Sequence, residues 1–226
     1  MNHLIVCCTR DKFSITPLSQ SLGPEPKFGS NSYFTTQIFE HNKQNISSRY
    51  NQVLKEYKNS PNFDSLIFIH DDVEIVDPCW LEKLEEAYKE YDIVGLAGGL
   101  NPKIQAPILW HIMCGKENCY GAVGHFTDTG ERFLTLFGPT PHRICVLDGL
   151  FLAINLKTVE KTEWKFQEEF NRHCYDISAS LYANELKLKM GVWPISVYHK
   201  SPGLRDINDK IFLDDQQKFL DKWIKK

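Results

Sequence analysis

Residues 66–75 read Leu66-Ile67-Phe68-Ile69-His70-Asp71-Asp72-Val73-Glu74-Ile75, and this stretch decides the fold. Four consecutive apolar residues are too few for a helix and fit a strand buried on both faces, the kind found inside a parallel sheet. The run then delivers His70, Asp71 and Asp72 at its carboxyl end. Open α/β sheets bind ligands at the carboxyl ends of their strands, so the expected site lies here.

Outward from this strand, the pattern alternates strand and helix. Upstream, residues 4–8 form a short apolar strand, 11–32 are rich in Pro, Gly and Ser and read as loop, and 33–39 have strand composition. Ser47 or Ser48 can cap a helix bearing Tyr50, Val53, Leu54 and Tyr57 on one face, stopped by Asn59-Ser60-Pro61. Downstream, Pro78 opens a helix that turns Leu81, Leu84, Tyr88 and Tyr91 inward, and 93–96 make the next strand. Residues 97–143 break the rhythm and read as a long excursion holding a hairpin or a flap. A strand pattern resumes over 144–154, interrupted by Asp148-Gly149. A helix is expected over 175–190, with Ile177, Leu181 and Leu188 on one stripe and Gly191 as C-cap. A last strand over 192–198 leads to His199, and 209–226 form an amphipathic helix carrying Phe212, Phe219, Leu220, Trp223 and Ile224. The whole points to one α/β domain with a mostly parallel central sheet and a helical tail.

The chain has 226 residues, with 26 Lys+Arg against 29 Asp+Glu and a formal net charge of −3. It is 42% hydrophobic and 12% aromatic, which excludes a disordered chain. Bulk attraction to nucleic acid is excluded too, because a mildly acidic chain repels phosphate. No apolar run reaches the roughly 20 residues of a membrane span, and no signal peptide is visible, so the cytosol is the expected compartment. The odd cysteine count of seven then reads as reduced thiols. His111, Cys114, Cys119 and His125 offer four potential zinc ligands in fifteen residues, but their spacing fits no common zinc module and the bland reading is core and loop side chains.

Asp71 and Asp72 carry the chemistry. Adjacent carboxylates repel unless a cation is shared, and hard divalent ions such as Mg²⁺ or Mn²⁺ bridge carboxylates to a diphosphate. A metal lets an acidic protein hold an anionic ligand. The alternative is that the pair caps a turn.

Four stretches, in order, resemble a known family. Residues 68–75 are similar to the strand-plus-DxD element of GT-A nucleotide-sugar glycosyltransferases. In the form H-x-D-V they resemble the family 2-like branch typified by a streptomycin-biosynthesis protein. Ser48-Arg49-Tyr50-Asn51 is similar to the start of the preceding helix, and Asp148-Gly149-Leu150-Phe151-Leu152-Ala153 to the D-G-x-F-x-A strand. His173-Cys174-Tyr175-Asp176 with Gly191 and His199-Lys200-Ser201-Pro202-Gly203 resembles the family's close. The resemblance implies a GT-A three-layer α/β/α domain over 1–203, followed by the tail over 204–226.

It also implies roles. Asp72 would coordinate a metal, Mn²⁺ or Mg²⁺, on the donor diphosphate, with His70 and His199 as further ligands; two imidazoles favour Mn²⁺. Asp176 would be the general base of an inverting transfer, with Asp148 beside it and Gly149 allowing close approach of a sugar. Thr9, Arg10, Glu40, Asn42, Arg49, Asn51 and Asp71 would bind the nucleotide sugar, and Lys200 and Arg205 could neutralise phosphate. For His199 the alternative is a loop histidine, and for Asp176 helix N-terminal capping.

The leading expectation is therefore a metal-dependent glycosyltransferase moving a sugar from a nucleotide-sugar donor to a hydroxyl acceptor, such as a polysaccharide or other glycan. A non-catalytic nucleotide- or glycan-binding module and a sugar nucleotidyltransferase are the alternatives. The latter normally carries a Gly-rich basic loop after its first strand, where residues 11–30 offer only Lys12 and Lys27. The tail helix can cover the core, pair two subunits as a homo-oligomer, or rest on a membrane, for which Lys222, Lys225 and Lys226 are few.

Overall fold

The run at 66–69 is a strand with every residue buried, and its neighbours explain why. In the computed structural model, which describes residues 1–23, 32–201 and 206–224, the chain begins with β1 (Asn2–Cys8), α1 (Pro17–Leu22) and β2 (Tyr33–Phe39). It continues through α2 (Ile46–Tyr57), β3 (Ser65–Ile69), β4 (Val73–Ile75), α3 (Trp80–Ala87) and β5 (Ile93–Gly95). The excursion holds β6 (Ala97–Gly99), α4 (Trp110–Cys114) and a hairpin of β7 (Cys119–Phe126) and β8 (Arg132–Gly138). Then come β9 (His142–Ile144), β10 (Val146–Leu147), β11 (Phe151–Asn155), α5 (Leu156–Val159), α6 (Tyr175–Glu185), β12 (Met190–Val192), β13 (Val197–His199) and α7 (Lys210–Trp223).

Among the described residues the strands form two sheets. The larger runs β2-β1-β3-β11-β5-β12-β9, and the smaller β10-β6-β7-β13-β4, with β8 pairing to β7 off this path. β1 pairs in parallel with β2 and β3, as does β5 with β12. β11 is the exception: it lies antiparallel between β3 and β5. β9 is likewise antiparallel to β12, so five strands share one direction and two oppose it. A strand buried on both faces is apolar whichever way it runs, and an apolar run alone does not fix direction.

Several local expectations are corrected. Asn45, not Ser47 or Ser48, caps α2, its side chain accepting the N–H groups of both serines. Within 11–32 the segment capped by Thr16, with Pro17 at its first position, is helical and buries Leu18. α3 starts at Trp80, two residues beyond Pro78. α6 ends at Glu185 because Lys187 takes a left-handed φ of 62°, and Met190 to Val192 form a strand. Gly191 is therefore no C-cap. A Cβ there would lie 2.5 Å from three atoms of the Tyr91 ring, so glycine is kept for close packing. Gly191→Ala is expected to cost about 1–3 kcal/mol by overpacking, read from the urea midpoint.

α7 packs Phe212, Phe219 and Trp223 into the protein and leaves Ile224, expected inside, 59% exposed. Among the described residues no helix is long and apolar enough to cross a membrane. Arg205, Pro202, Gly203, Lys225 and Lys226 lie outside the described residues.

Candidate active site

Three chain crossings converge on the carboxyl end of β3. Because β11 runs antiparallel with Phe151 opposite Ile69, the preceding turn Asp148-Gly149-Leu150 arrives beside His70, whose N–H donates to the Leu150 carbonyl at 3.1 Å. β13 runs antiparallel to β4 with His199 opposite Val73, and the Lys200 N–H donates to the Asp72 carbonyl at 2.9 Å. α6 supplies its first two residues, Tyr175 and Asp176.

His70, Asp72 and His199 each present one ligand atom, and these atoms lie within 4.8 Å of one another. Asp72 Oδ1 and His199 Nε2 stand 3.1 Å apart, yet both are buried without an aligned hydrogen bond. The close N/O/N set of His70, Asp72 and His199 fits a divalent metal. Burial would raise Asp72, but the neighbouring His199 and His70 outweigh it and hold the carboxyl below its ordinary range. Burial would lower His199, and the Asp72 carboxylate outweighs that and holds the imidazole above its ordinary value. Burial, reinforced by His199, lowers His70, so its ring is neutral. The Tyr175 hydroxyl donates to the Gly149 carbonyl at 3.1 Å and meets His70 Nε2 at 2.8 Å. The Tyr175 hydroxyl thus bridges His70 Nε2 and the Gly149 carbonyl and orients the imidazole.

The second pair of acids sits alongside. Asp148 Oδ2 accepts from Trp110 Nε1 at 2.8 Å and its Oδ1 from the Leu150 N–H at 3.0 Å. Asp176 Oδ2 accepts from the Gly149 N–H at 2.8 Å. A Cβ on Gly149 would fall 2.3 Å from the Tyr175 hydroxyl, so this contact needs glycine. Burial, then the Asp148 charge, pushes Asp176 up to about 7, a value suited to a proton acceptor near neutrality.

These groups open into a cavity of about 800 Å³. Thr9, Arg10, Asn42, His70, Asp71, Asp72, Asp148, Asp176 and His199 all line its wall. Five expected contacts are not in that wall. Glu40 accepts the Phe13 N–H; Arg49 lies over the Phe39 ring and bonds Asn42 Oδ1. Asn51 holds the backbone of Phe166 from both sides of its amide. Lys200 reaches over the Phe126 ring, and Gly149 serves through its N–H and carbonyl. Arg49 thus stands behind a lining residue, and Asn51 fixes the 166–168 segment instead.

Other wall residues carry no nucleotide-sugar role in the sequence reading: Trp110 and His111 from the excursion, Arg172 and His173 before α6, and Phe212 from α7. The Trp110-His111 pair had a signal, an aromatic beside a histidine in a Gly/Pro-rich stretch. The zinc-type quartet disperses: Cys114 lies against Gly99, Cys119 points at the His111 and Gly115 carbonyls, and His125 packs beside Phe133 and His199.

The mixed sheet with its flanking helices is a GT-A fold, as the family and structural matches bear out. The chain belongs to the glycosyltransferase-like family, whose model matches residues 32–224 and so includes most of the tail. No curated protein matches it in sequence. Among solved structures it is similar to A197 from STIV, at 13% identity and a TM-score of 0.53 over 89% of this chain and 86% of that one. It is also similar to GalNAc-T7, crystallised with UDP, GalNAc and Mn²⁺, at 10% identity and a TM-score of 0.59. That match covers 99% of this chain and 48% of GalNAc-T7, so the chain spans about half of that protein.

Proposed function

We propose that this glycosyltransferase-like protein moves a sugar from a nucleotide-sugar donor to a hydroxyl of a glycan acceptor, with metal dependence and inversion, and that it falls in the H-x-D-V branch. The observation that carries this reading is one cavity holding both the convergent His70-Asp72-His199 cluster and a carboxylate, Asp176, pushed up to about 7. The chemistry Mn²⁺ or Mg²⁺ supplies at such a cluster is neutralisation of the donor diphosphate, in the bound and the departing state. Thr9, Arg10 and Asn42 stand where they can hold the nucleoside. Asp176 takes the acceptor's hydroxyl proton as that oxygen bonds the anomeric carbon and the bond from that carbon to the diphosphate oxygen breaks. Asp148, pinned by Trp110 and Leu150, orients the sugar. The presence of UDP and Mn²⁺ in the GalNAc-T7 crystal structure, on a similar fold, supports the metal and the donor class.

The test is a panel of UDP-, GDP- and TDP-sugars, each with and without Mn²⁺. A rise in melting temperature that requires both sugar nucleotide and metal, with slow donor hydrolysis, is the expected result. Stabilisation with neither hydrolysis nor transfer would replace the enzyme with a binding module.

A further inference from the structure

Asp215 sits on α7 with no exposed surface. A buried carboxylate on an amphipathic helix needs partners, and a run of three backbone amides provides them. The Asn171 N–H donates to both carboxylate oxygens at 3.1 Å, and the Arg172 and His173 N–H groups donate to Oδ2 at 3.0 and 3.1 Å. Lys218 Nζ stands 3.4 Å from Oδ1. Successive N–H groups closing round one anion form a nest, here filled from within the protein. The segment so held runs into Cys174, whose φ of 61° turns the chain into α6, and the next two residues are Tyr175 and Asp176. On the same helix Phe212 lines the cavity and meets the His173 ring at 5.4 Å, while Gln216 accepts the Ile108 N–H at 3.0 Å.

We propose that Asp215 is a positioning residue for the transfer reaction. By fixing residues 171–173 it sets where the Asp176 carboxyl and the Tyr175 hydroxyl stand, and α7 is a working wall of the site. This rests on the reading of Asp176 as base. The amide of Asp215→Asn keeps one accepting oxygen but turns an NH₂ toward the same donors, so part of the nest is lost.

Two readouts on the full chain test it. Hydrogen exchange of amides 171–176 is expected to rise about tenfold or more in Asp215→Asn, with the sheet amides unchanged, as befits loss of hydrogen bonds to a charged acceptor. With whichever nucleotide sugar the wild type hydrolyses in Mn²⁺, kcat per nucleotide-binding site, counted by titration with UDP, GDP or TDP to match that donor, is expected to fall about 10²-fold. The donor KM should stay within about twofold, because Thr9, Arg10 and Asn42 are untouched. Gly191→Ala, which crowds the Tyr91 ring on a strand away from the cavity and keeps Asp215, lowers the melting temperature and leaves both readouts in place. Unchanged exchange at 171–176, or retained kcat, overturns the proposal. A wild type that turns over no donor removes the base assignment, and the exchange measurement still decides whether Asp215 holds the loop. Should Asp215→Asn not fold, Asp215→Ser carries the same comparison.

Discussion

Asp72→Ala is expected to abolish Mn²⁺-dependent nucleotide binding and to lower donor turnover by about 10²–10³-fold, the scale of losing one preorganised charge clamp. The carboxylate is the only anionic member of the cluster; the two imidazoles left behind carry no charge to balance a divalent ion. The fold should survive, since the Asp72 side chain is 36% exposed and stands beyond the last residue of β3. Calorimetric titration of UDP, with and without Mn²⁺, separates the two effects. Wild-type affinity and metal dependence in the variant would sink the assignment of Asp72. Asp72→Asn sharpens the comparison, because it keeps an oxygen of the same reach and removes only the charge.

Asp176→Asn is expected to lose about 10²–10⁴-fold in kcat with donor affinity retained, the usual worth of a general base. Wild-type kcat/KM should rise as pH passes through about 7, and that limb should be missing from the variant. The stability consequence has a definite sign. A carboxyl raised from 3.8 to about 7 by folding stabilises the native state fully below about pH 4 and loses that contribution as pH rises through 7. Above pH 8 the wild type therefore buries a charge beside Asp148, and the neutral variant should be the more stable protein, by on the order of 2–4 kcal/mol. Near pH 5 the difference should shrink toward zero, since Asn can still accept the Gly149 N–H. Urea denaturation at the two pH values reads this directly; a variant less stable than wild type at pH 8.5 would contradict the burial argument. Asp148→Asn shifts the wild-type limb downward by the same reasoning.

The centre of this site was legible because strand β3 announces itself. An apolar run ending in His70-Asp71-Asp72 leaves little freedom about where those side chains go, and the Asp148-Gly149, Tyr175-Asp176 and His199 positions all fall at element ends. What was not legible depends on tertiary choices. The direction of β11 leaves no mark on an apolar strand, although that direction brings Asp148 to His70. The end of α6 is set by Lys187 in a left-handed conformation, which no glycine or asparagine signals. Asp215 reads as one more polar residue of an amphipathic helix, and only packing against residues 171–173 distinguishes it from Asp214, its exposed neighbour. Arg49 and Asn51 were placed by motif on the right helix, yet their side chains turn to Asn42 and Phe166.

The placement of β11 between β3 and β5 also sets a timetable for folding. The partner on one edge of β3, β1, is already made when β3 appears, but its other edge must wait for residues 151–155, made roughly 80 positions later. At typical synthesis rates that is about 4–16 s, during which a strand fully buried in the folded protein lacks the native partner on one edge. A chain halted before residue 151 would keep that edge open, and the central sheet closes only once the Asp148-Gly149 turn has brought β11 back beside β3.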